Sequence, residues 1–152
     1  MRLILLGAPG VGKGTQAKML QNYFKVPHIS TGDILRAAVK ENSLLGQKAK
    51  SFMEKGELVP DSLVIQMVAE RLSQSDTLQG FILDGFPRNL AQEKSLAEIF
   101  KQKNIKINKV IYFQAPEKVI VERLTGRRVC KSCNAIFHIK NMPSKVDMIC
   151  DN

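Results

Sequence analysis

Several features are scarce in this sequence, and each scarcity argues against a class of protein. No apolar run approaches the roughly 18 residues that a membrane-spanning helix needs. Only three cysteines occur among 152 residues, which suits a reducing compartment better than a disulfide scaffold. The two histidines, His28 and His138, have no acid or base beside them, and no nucleophile–base pattern supports covalent catalysis. We therefore expect a cytoplasmic protein.

Negative charge is also in short supply, because 14 acidic residues accompany 23 lysines and arginines, for a net charge of +9. This excess suggests anionic partners without distinguishing nucleotides from nucleic acid or a membrane surface. Lysines spread over a solvated surface explain it equally well. At this length the chain can bury roughly two-thirds of its unfolded surface, so we expect one main core.

Glycine, by contrast, is concentrated in the segment Gly7–Thr15, which follows the apolar run Leu3–Leu6 and precedes a helical pattern. A buried strand, a glycine loop and a helix start in this order let phosphate oxygens approach the unpaired N–H groups of a helix N-terminus. Lys13 adds a mobile cation and argues against a signal peptide. In the general phosphate-loop pattern Ser or Thr follows the lysine directly, but here Gly14 intervenes before Thr15. The segment predicts a nucleotide-phosphate site; a glycine turn without a ligand is the alternative.

The chain then alternates between strand and helix patterns. Strands are predicted at 3–6, 28–29, 80–85 and 110–113, and helices at 16–24, 34–39, 44–55, 60–72, 89–101 and 116–124. This alternation predicts an α/β fold with a parallel sheet, in which ligands bind beyond the carboxyl ends of the strands. Asp84 stands at such an end, where it could hold Mg²⁺ through the water shell of the ion. A loop-capping aspartate is the alternative.

Four arginines lie at or near the ends of predicted elements, where guanidinium groups can pair with phosphate oxygens. Any one of them alone is more simply a surface residue. Together they indicate chemistry that neutralises charge on a transferred phosphoryl group. The four are Arg36, Arg88, Arg123 and Arg127.

Three cysteines follow the last predicted helix. Cys130, Cys133 and Cys150 have the spacing of a zinc knuckle that lacks its last ligand. Asp151 or His138 would have to supply the fourth donor, or the site is incomplete. Three unrelated thiols, or zinc-dependent nucleic-acid binding by this basic tail, are the alternatives.

Taken together, these motifs closely resemble the adenylate kinase family, in its bacterial form with a zinc-stapled lid. The resemblance extends over essentially all 152 residues and implies a P-loop fold, a three-layer parallel sheet flanked by helices. It implies a core domain at 1–29 and 74–126, a helical AMP-binding insert at 30–73 and a partial lid at 127–152, within which the chain would end. The motifs that carry the resemblance are Gly7–Thr15, Ser30–Asp33 with Arg36, Asp84–Arg88 with Gln92, and Arg123–Arg128.

The resemblance also assigns roles to residues. Thr31 favours AMP, because pyrimidine-specific relatives usually carry alanine there, and the Gln92 amide suits the edge of adenine. The expected catalytic residues are Lys13, Asp84, Arg88 and Arg123. ATP binding is assigned to Gly10, Val11, Gly12, Lys13, Gly14, Thr15, Arg123, Arg127, Ile136 and Phe137. AMP binding is assigned to Thr31, Arg36, Leu58, Val59, Gly85, Phe86, Pro87, Arg88 and Gln92. Structural Zn²⁺ is assigned to Cys130, Cys133 and Cys150, and the histidines to structural positions or to packing beside adenine.

The implied reaction is reversible phosphoryl transfer from Mg²⁺-bound ATP to AMP, giving two ADP, in nucleotide salvage and energy balance. The implied protein is a monomer with no nucleic-acid or membrane partner. A catalytically impaired nucleotide-binding fragment is the alternative, because relatives continue beyond the point where this chain ends.

Overall fold

The computed structural model describes residues 1–133 and 135–152. It divides into two compact units: the first comprises residues 1–7 and 13–112, and the second comprises residues 8–12 and 113–152. The division into core, insert and lid expected from the sequence stays a prediction.

The main sheet has four strands: β1 (Arg2–Gly7), β2 (His28–Ser30), β3 (Phe81–Asp84) and β4 (Lys109–Phe113). They are arranged in the order β2-β3-β1-β4. Strand β3 pairs in parallel with both β1 and β2 and places Asp84 opposite Leu5 and Ser30. All four residues of β3 are buried, as expected of a central parallel strand. The predicted α/β fold with a parallel sheet is confirmed.

Five helices belong to the first unit: α1 (Lys13–Phe24), α2 (Thr31–Lys40), α3 (Leu44–Glu54), α4 (Asp61–Arg71) and α5 (Leu90–Gln102). A short 3₁₀ turn covers Ser75–Thr77. Helix α2 begins at Thr31, three residues earlier than predicted, and its N-cap residue Ser30 makes no side-chain cap hydrogen bond. Thr31 is therefore helical, and its hydroxyl donates a hydrogen bond to the carbonyl oxygen of Gly85.

The core of the first unit forms where the apolar face of α4 meets the sheet. Leu63, Val64, Met67 and Val68 of α4, with Leu72 directly after the helix, are at most 9% exposed and share one face. Apolar residues that recur every three or four positions lie on one face of a helix. The main cluster contains Ile4, Ile29, Val64, Val68, Leu72, Phe81, Leu83, Phe86 and Leu96, and a smaller one contains Ala49, Leu63 and Met67.

The second unit contains helix α6 (Glu117–Thr125) and a small antiparallel sheet of β5 (Arg127–Val129) and β6 (Ile136–His138). Residues 1–133 and 135–152 include no helix that is both long and apolar enough to cross a membrane.

Candidate functional site

The glycine loop is shaped by residues that have positive φ angles. Gly10 has φ 80° and Gly12 has φ 109°, values that side-chain-bearing residues rarely adopt. At Gly10 a Cβ atom would also lie 2.9 Å from Leu124 Cγ. Helix α1 then begins at Lys13. The loop thus leads directly into a helix N-terminus, as predicted for a phosphate site.

Lys13 lies at the start of α1, and its Nζ donates a hydrogen bond to the carbonyl oxygen of Gly7 at 2.9 Å. Burial lowers the pKa of Lys13 below its ordinary value, the negative charge of Asp84 partly offsets this effect, and the positive charge of Arg88 adds to it. Asp84 and Arg88 therefore both lie within range of the charge of Lys13 in the first unit. Three of the four predicted catalytic residues are brought together there.

Asp84 ends strand β3 and is only 8% exposed. Its Oδ2 atom lies 3.1 Å from His28 Nε2. A Cβ atom on Gly14 would lie 3.9 Å from the same oxygen, so the side-chain position of Gly14 points toward this carboxylate. A carboxylate oxygen beside a helix start matches the donors that Mg²⁺ uses, and Asp84 is the residue that would hold that ion.

The predicted AMP-binding residues cluster around the turn after β3. Arg88 donates from Nε to the carbonyl oxygen of Gly85 at 2.9 Å and from Nη2 to the Thr31 hydroxyl oxygen at 3.2 Å. Thr31 in turn donates to the Gly85 carbonyl oxygen at 3.3 Å. These contacts link the start of α2 to the end of β3. Phe86 is fully buried and precedes Pro87 in a cis peptide bond.

Gln92 lies in the first turn of α5 and is 4% exposed. Its Oε1 atom accepts from the backbone N–H of Arg88 at 2.8 Å, and its Nε2 atom donates to Asp61 Oδ1 at 2.5 Å. Asp61 Oδ2 accepts from Asn89 Nδ2 at 2.8 Å. Asn89 also caps α5, because its Oδ1 accepts from the backbone N–H of Gln92. The amide predicted to read adenine is thus held by two neighbours.

The remaining predicted AMP residues differ in their surroundings. Arg36 is exposed and pairs with Asp33 at 2.5 Å, three residues earlier in the same helix. Leu58 is 86% exposed, whereas Val59 packs against the core. Among the described residues, none of the hydrogen bonds joins Arg36, Leu58 or Val59 to Thr31 or Arg88.

In the second unit, Arg123 is the predicted residue that contacts the glycine loop. Its Nη1 atom donates to the carbonyl oxygen of Val11 at 3.0 Å. Arg127 is exposed at the start of β5, while Ile136 is 41% exposed and Phe137 half-buried on β6. Strand β5 pairs with β6, which places Arg128 opposite Phe137.

The three cysteines of the second unit come together as predicted. Their Sγ atoms all lie within 4.8 Å of one another, and those of Cys133 and Cys150 are 3.5 Å apart. Thiolates around a tetrahedral zinc ion with Zn–S bonds of 2.3 Å lie about 3.8 Å apart, so the spacing fits such an ion. The backbone N–H groups of Cys133 and Ser132 lower the pKa of Cys130 to about 7, which favours the thiolate form that binds metals.

Both candidates for a fourth zinc ligand are engaged elsewhere. The Nδ1 atom of His138 accepts the backbone N–H groups of Lys140 and Asn141 at 3.1 and 3.0 Å. Asp151 Oδ1 accepts the backbone N–H of Lys145 at 2.8 Å. The described residues therefore supply a three-thiol group.

Two members of the site have no motif that marks them in the sequence. Asp61 is noticeable only as the residue after a helix-starting proline, and its partners lie 28 and 31 residues away. His28 has no partner nearby in the sequence, but the parallel pairing of β2 with β3 brings it to Asp84, 56 residues away. The alternation of side chains along paired strands is the signal that could have suggested the second contact.

Several known proteins resemble this chain over nearly its whole length. The family model described as "Adenylate kinase" matches residues 5–152. Curated proteins named "Adenylate kinase" from Caldicellulosiruptor saccharolyticus and Archaeoglobus fulgidus are each 54% identical to this chain over 151 residues, and one from Clostridium botulinum is 51% identical. Each alignment covers 99% of this chain and 70% of the relative. On this evidence the chain belongs to the adenylate kinase family.

Proposed function

We propose that this protein catalyses reversible transfer of a phosphoryl group from Mg²⁺-bound ATP to AMP, giving two ADP. The observation that carries the proposal is the grouping of Lys13, Asp84 and Arg88 near the carboxyl end of β3, with Thr31 bound to the same arginine. A cation, a carboxylate and a guanidinium group within range of one another are the parts that phosphoryl transfer requires.

On the donor side, the glycine loop would bind the ATP phosphates through backbone N–H groups, and Lys13 would neutralise their charge. The absence of side chains at Gly10 and Gly12 lets phosphate oxygens approach the backbone. In the second unit, Arg123 would bind donor phosphates from its position beside the Val11 carbonyl group, with Arg127, Ile136 and Phe137 on the ATP side. When bound, Mg²⁺ would supply charge neutralisation on the phosphates, with Asp84 holding its water shell.

On the acceptor side, Arg88 would bind the AMP phosphate, and Gln92 would bind the adenine edge. Arg36 would add a second guanidinium group, and Leu58 and Val59 would give the base an apolar neighbour. No protein nucleophile is needed, since positioning and charge neutralisation supply most of the catalysis of phosphoryl transfer.

We propose that Zn²⁺ occupies the three-cysteine group and has a structural role. The Sγ spacing and the lowered pKa of Cys130 support this assignment. A structural zinc ion links the chain segments that supply its ligands, so it would join the loop of Cys130 and Cys133 to the segment at Cys150.

The proposal extends to a cytoplasmic monomer that binds small nucleotides rather than nucleic acid or membranes. The three cysteines are free thiols in the structure, which is compatible with a reducing compartment. Sedimentation velocity at several concentrations measures the oligomeric state, and a concentration-dependent dimer would contradict this part.

Coupled-enzyme detection of ADP formation from ATP and AMP tests the main proposal. We expect turnover with AMP that depends on Mg²⁺, and much lower rates with UMP or CMP as acceptor. Binding without turnover would favour the alternative of an impaired fragment, and faster turnover with a pyrimidine nucleotide would overturn the choice of acceptor.

A further inference from the structure

We propose that Asp61 is a positioning residue that locks the Gln92 amide in one orientation and thereby makes the acceptor site select adenine over 6-oxopurines. The inference rests on the proposed function, because it concerns the base of the acceptor nucleotide. Asp61 belongs to α4 and Gln92 to α5, so the lock is formed between two helices.

The two ends of the Gln92 amide have partners of opposite character. The backbone N–H of Arg88 can only donate, and it lies 2.8 Å from Gln92 Oε1. The Asp61 carboxylate can only accept, and its Oδ1 lies 2.5 Å from Gln92 Nε2. Rotating the amide by half a turn would place its NH₂ group against the N–H and its oxygen against the carboxylate. Both contacts would then be repulsive, so the pair of neighbours permits one orientation.

Asp61 is itself held in position. Its second oxygen accepts from Asn89 Nδ2 at 2.8 Å, and Asn89 caps the helix that carries Gln92. The carboxylate therefore cannot turn away from Gln92 without losing the Asn89 contact. Since Gln92 is only 4% exposed, water has little access to compensate for a lost partner.

The locked amide has one N–H group and one oxygen lone pair left, in a fixed spatial order. Adenine offers an acceptor at N1 and a donor at its 6-amino group, whereas hypoxanthine and guanine offer a donor at N1 and an acceptor at O6. A freely rotating amide can match either pattern by turning over. A locked amide matches one pattern and leaves unpaired groups against the other, which is an effective basis for discrimination.

Binding of AMP and IMP to the full chain, measured by calorimetry, tests the proposal. IMP has the 6-oxopurine pattern without the extra amino group of GMP. The variant Asp61→Asn keeps the shape of the side chain, but its own amide can donate or accept, so only the Arg88 N–H still favours one Gln92 orientation. We expect the ratio of the IMP to the AMP dissociation constant to fall by about 10-fold, as the loss of one hydrogen-bond preference allows.

The control variant is Asp76→Asn, which makes the same chemical change at an exposed aspartate that is paired with Arg71. Asp76→Asn should leave the ratio of the two dissociation constants unchanged. Thermal unfolding should show that Asp61→Asn is folded at the temperature of the binding measurement. The role of Asp61 alone would be overturned by two results together. The wild-type protein would bind AMP more tightly than IMP, and Asp61→Asn would have a ratio of IMP to AMP dissociation constants within twofold of the wild-type ratio. A wild-type protein that fails to bind AMP would overturn the proposed function, and this inference with it.

Discussion

At the scale of single residues, Lys13 combines unfavourable burial with a proposed role in binding phosphate. Burial lowers its pKa, which means that the charged ammonium group is less favourable here than in water. The negative charge of Asp84 offsets part of this cost, and a bound anion would offset more of it. Lys13 should therefore contribute little to the stability of the unliganded protein and much to the binding of nucleotide.

Replacement of Lys13 by methionine should therefore remove nucleotide binding without unfolding the protein. Saturating Mg²⁺-ATP at 100 times its dissociation constant should stabilise the wild type by about 2.7 kcal/mol, or a rise in melting temperature of roughly 5–10 °C. In Lys13→Met this rise should fall below about 2 °C, because the variant lacks the cation that we propose faces the phosphates. The unliganded melting temperature should change little, since relief of burial offsets the lost hydrogen bond to Gly7. Thermal unfolding monitored by fluorescence of an added dye measures both quantities.

Lys18→Met is the matched control, because Lys18 is an exposed lysine of the same helix. It should retain the full ATP-induced rise. An equal loss of the rise in both variants would contradict a specific role for Lys13.

Asp76 provides a pH-dependent contribution to stability. It accepts two hydrogen bonds from Arg71, at 2.8 and 2.7 Å, and these lower its pKa. A depressed pKa in the folded state gives stability that is present above the unfolded value of about 3.9 and is lost as the pH falls through the folded value. Asp76→Asn should thus be less stable than the wild type at pH 7 by about 0.5–1 kcal/mol, a modest figure because the pair is exposed to solvent.

Urea unfolding between pH 3 and pH 7 tests this linkage. The difference between the wild type and Asp76→Asn should shrink as the pH falls below about 4, and also at high salt. Glu98→Gln, at an exposed position on α5, serves as the control. A difference that is constant across the pH range would show that Asp76 acts through its shape rather than its charge.

At the scale of elements, the close approach of α2 and α3 depends on one glycine. A Cβ atom on Gly46 would lie 2.0 Å from the carbonyl oxygen of Ala38, and backbone cannot yield as a flexible side chain can. Alanine in place of a helical glycine ordinarily stabilises a protein by up to about 1 kcal/mol. Here the steric clash reverses the sign.

Gly46→Ala should accordingly destabilise the protein by about 3 kcal/mol, near the upper end of overpacking costs. Urea unfolding at pH 7 measures the change in the free energy of unfolding. Lys48→Ala, at an exposed position of the same helix, should stay within about 0.5 kcal/mol of the wild type. A stabilised Gly46→Ala variant would contradict the close approach of the two helices.

Secondary structure follows local patterns closely in this protein. The run Phe81–Asp84 is apolar up to its last residue and forms the central buried strand. Helix α4 starts after Pro60, as a proline at a helix start predicts. Helix α2 starts three residues before the predicted position. The Thr31 hydroxyl contacts Gly85 and Arg88, and a tertiary contact of this kind leaves no local pattern in the sequence.

At the scale of the whole molecule, the two units should differ in their dependence on zinc. The three thiols all belong to residues 113–152, and a structural metal stabilises the segment that supplies its ligands. Removal of zinc by a chelator should increase amide hydrogen exchange around residues 127–152 and leave β1 and β3 protected. Hydrogen exchange measured by mass spectrometry, with and without added Zn²⁺, checks this expectation.

Cys133→Ser should show the exchange of the zinc-free protein whether or not zinc is added. Ser132→Ala, at the neighbouring position, should respond to zinc as the wild type does. Uniform exchange in the presence and absence of zinc would contradict a structural metal in this group.

The amino-acid sequence predicted the α/β fold from alternating strand and helix patterns, and it predicted the glycine loop and the close Cys130 and Cys133 pair from spacings of a few residues. Cys150 joins these two thiols from 17 residues beyond Cys133. A glycine loop between a strand and a helix, or a pair of closely spaced thiols, offers the same chemical groups whatever fold the rest of the chain adopts. Two contacts of the first unit appear only in the folded chain: His28 with Asp84, and Asp61 with Gln92. These pairs depend on strand order and helix packing, which bring together residues 56 and 31 positions apart.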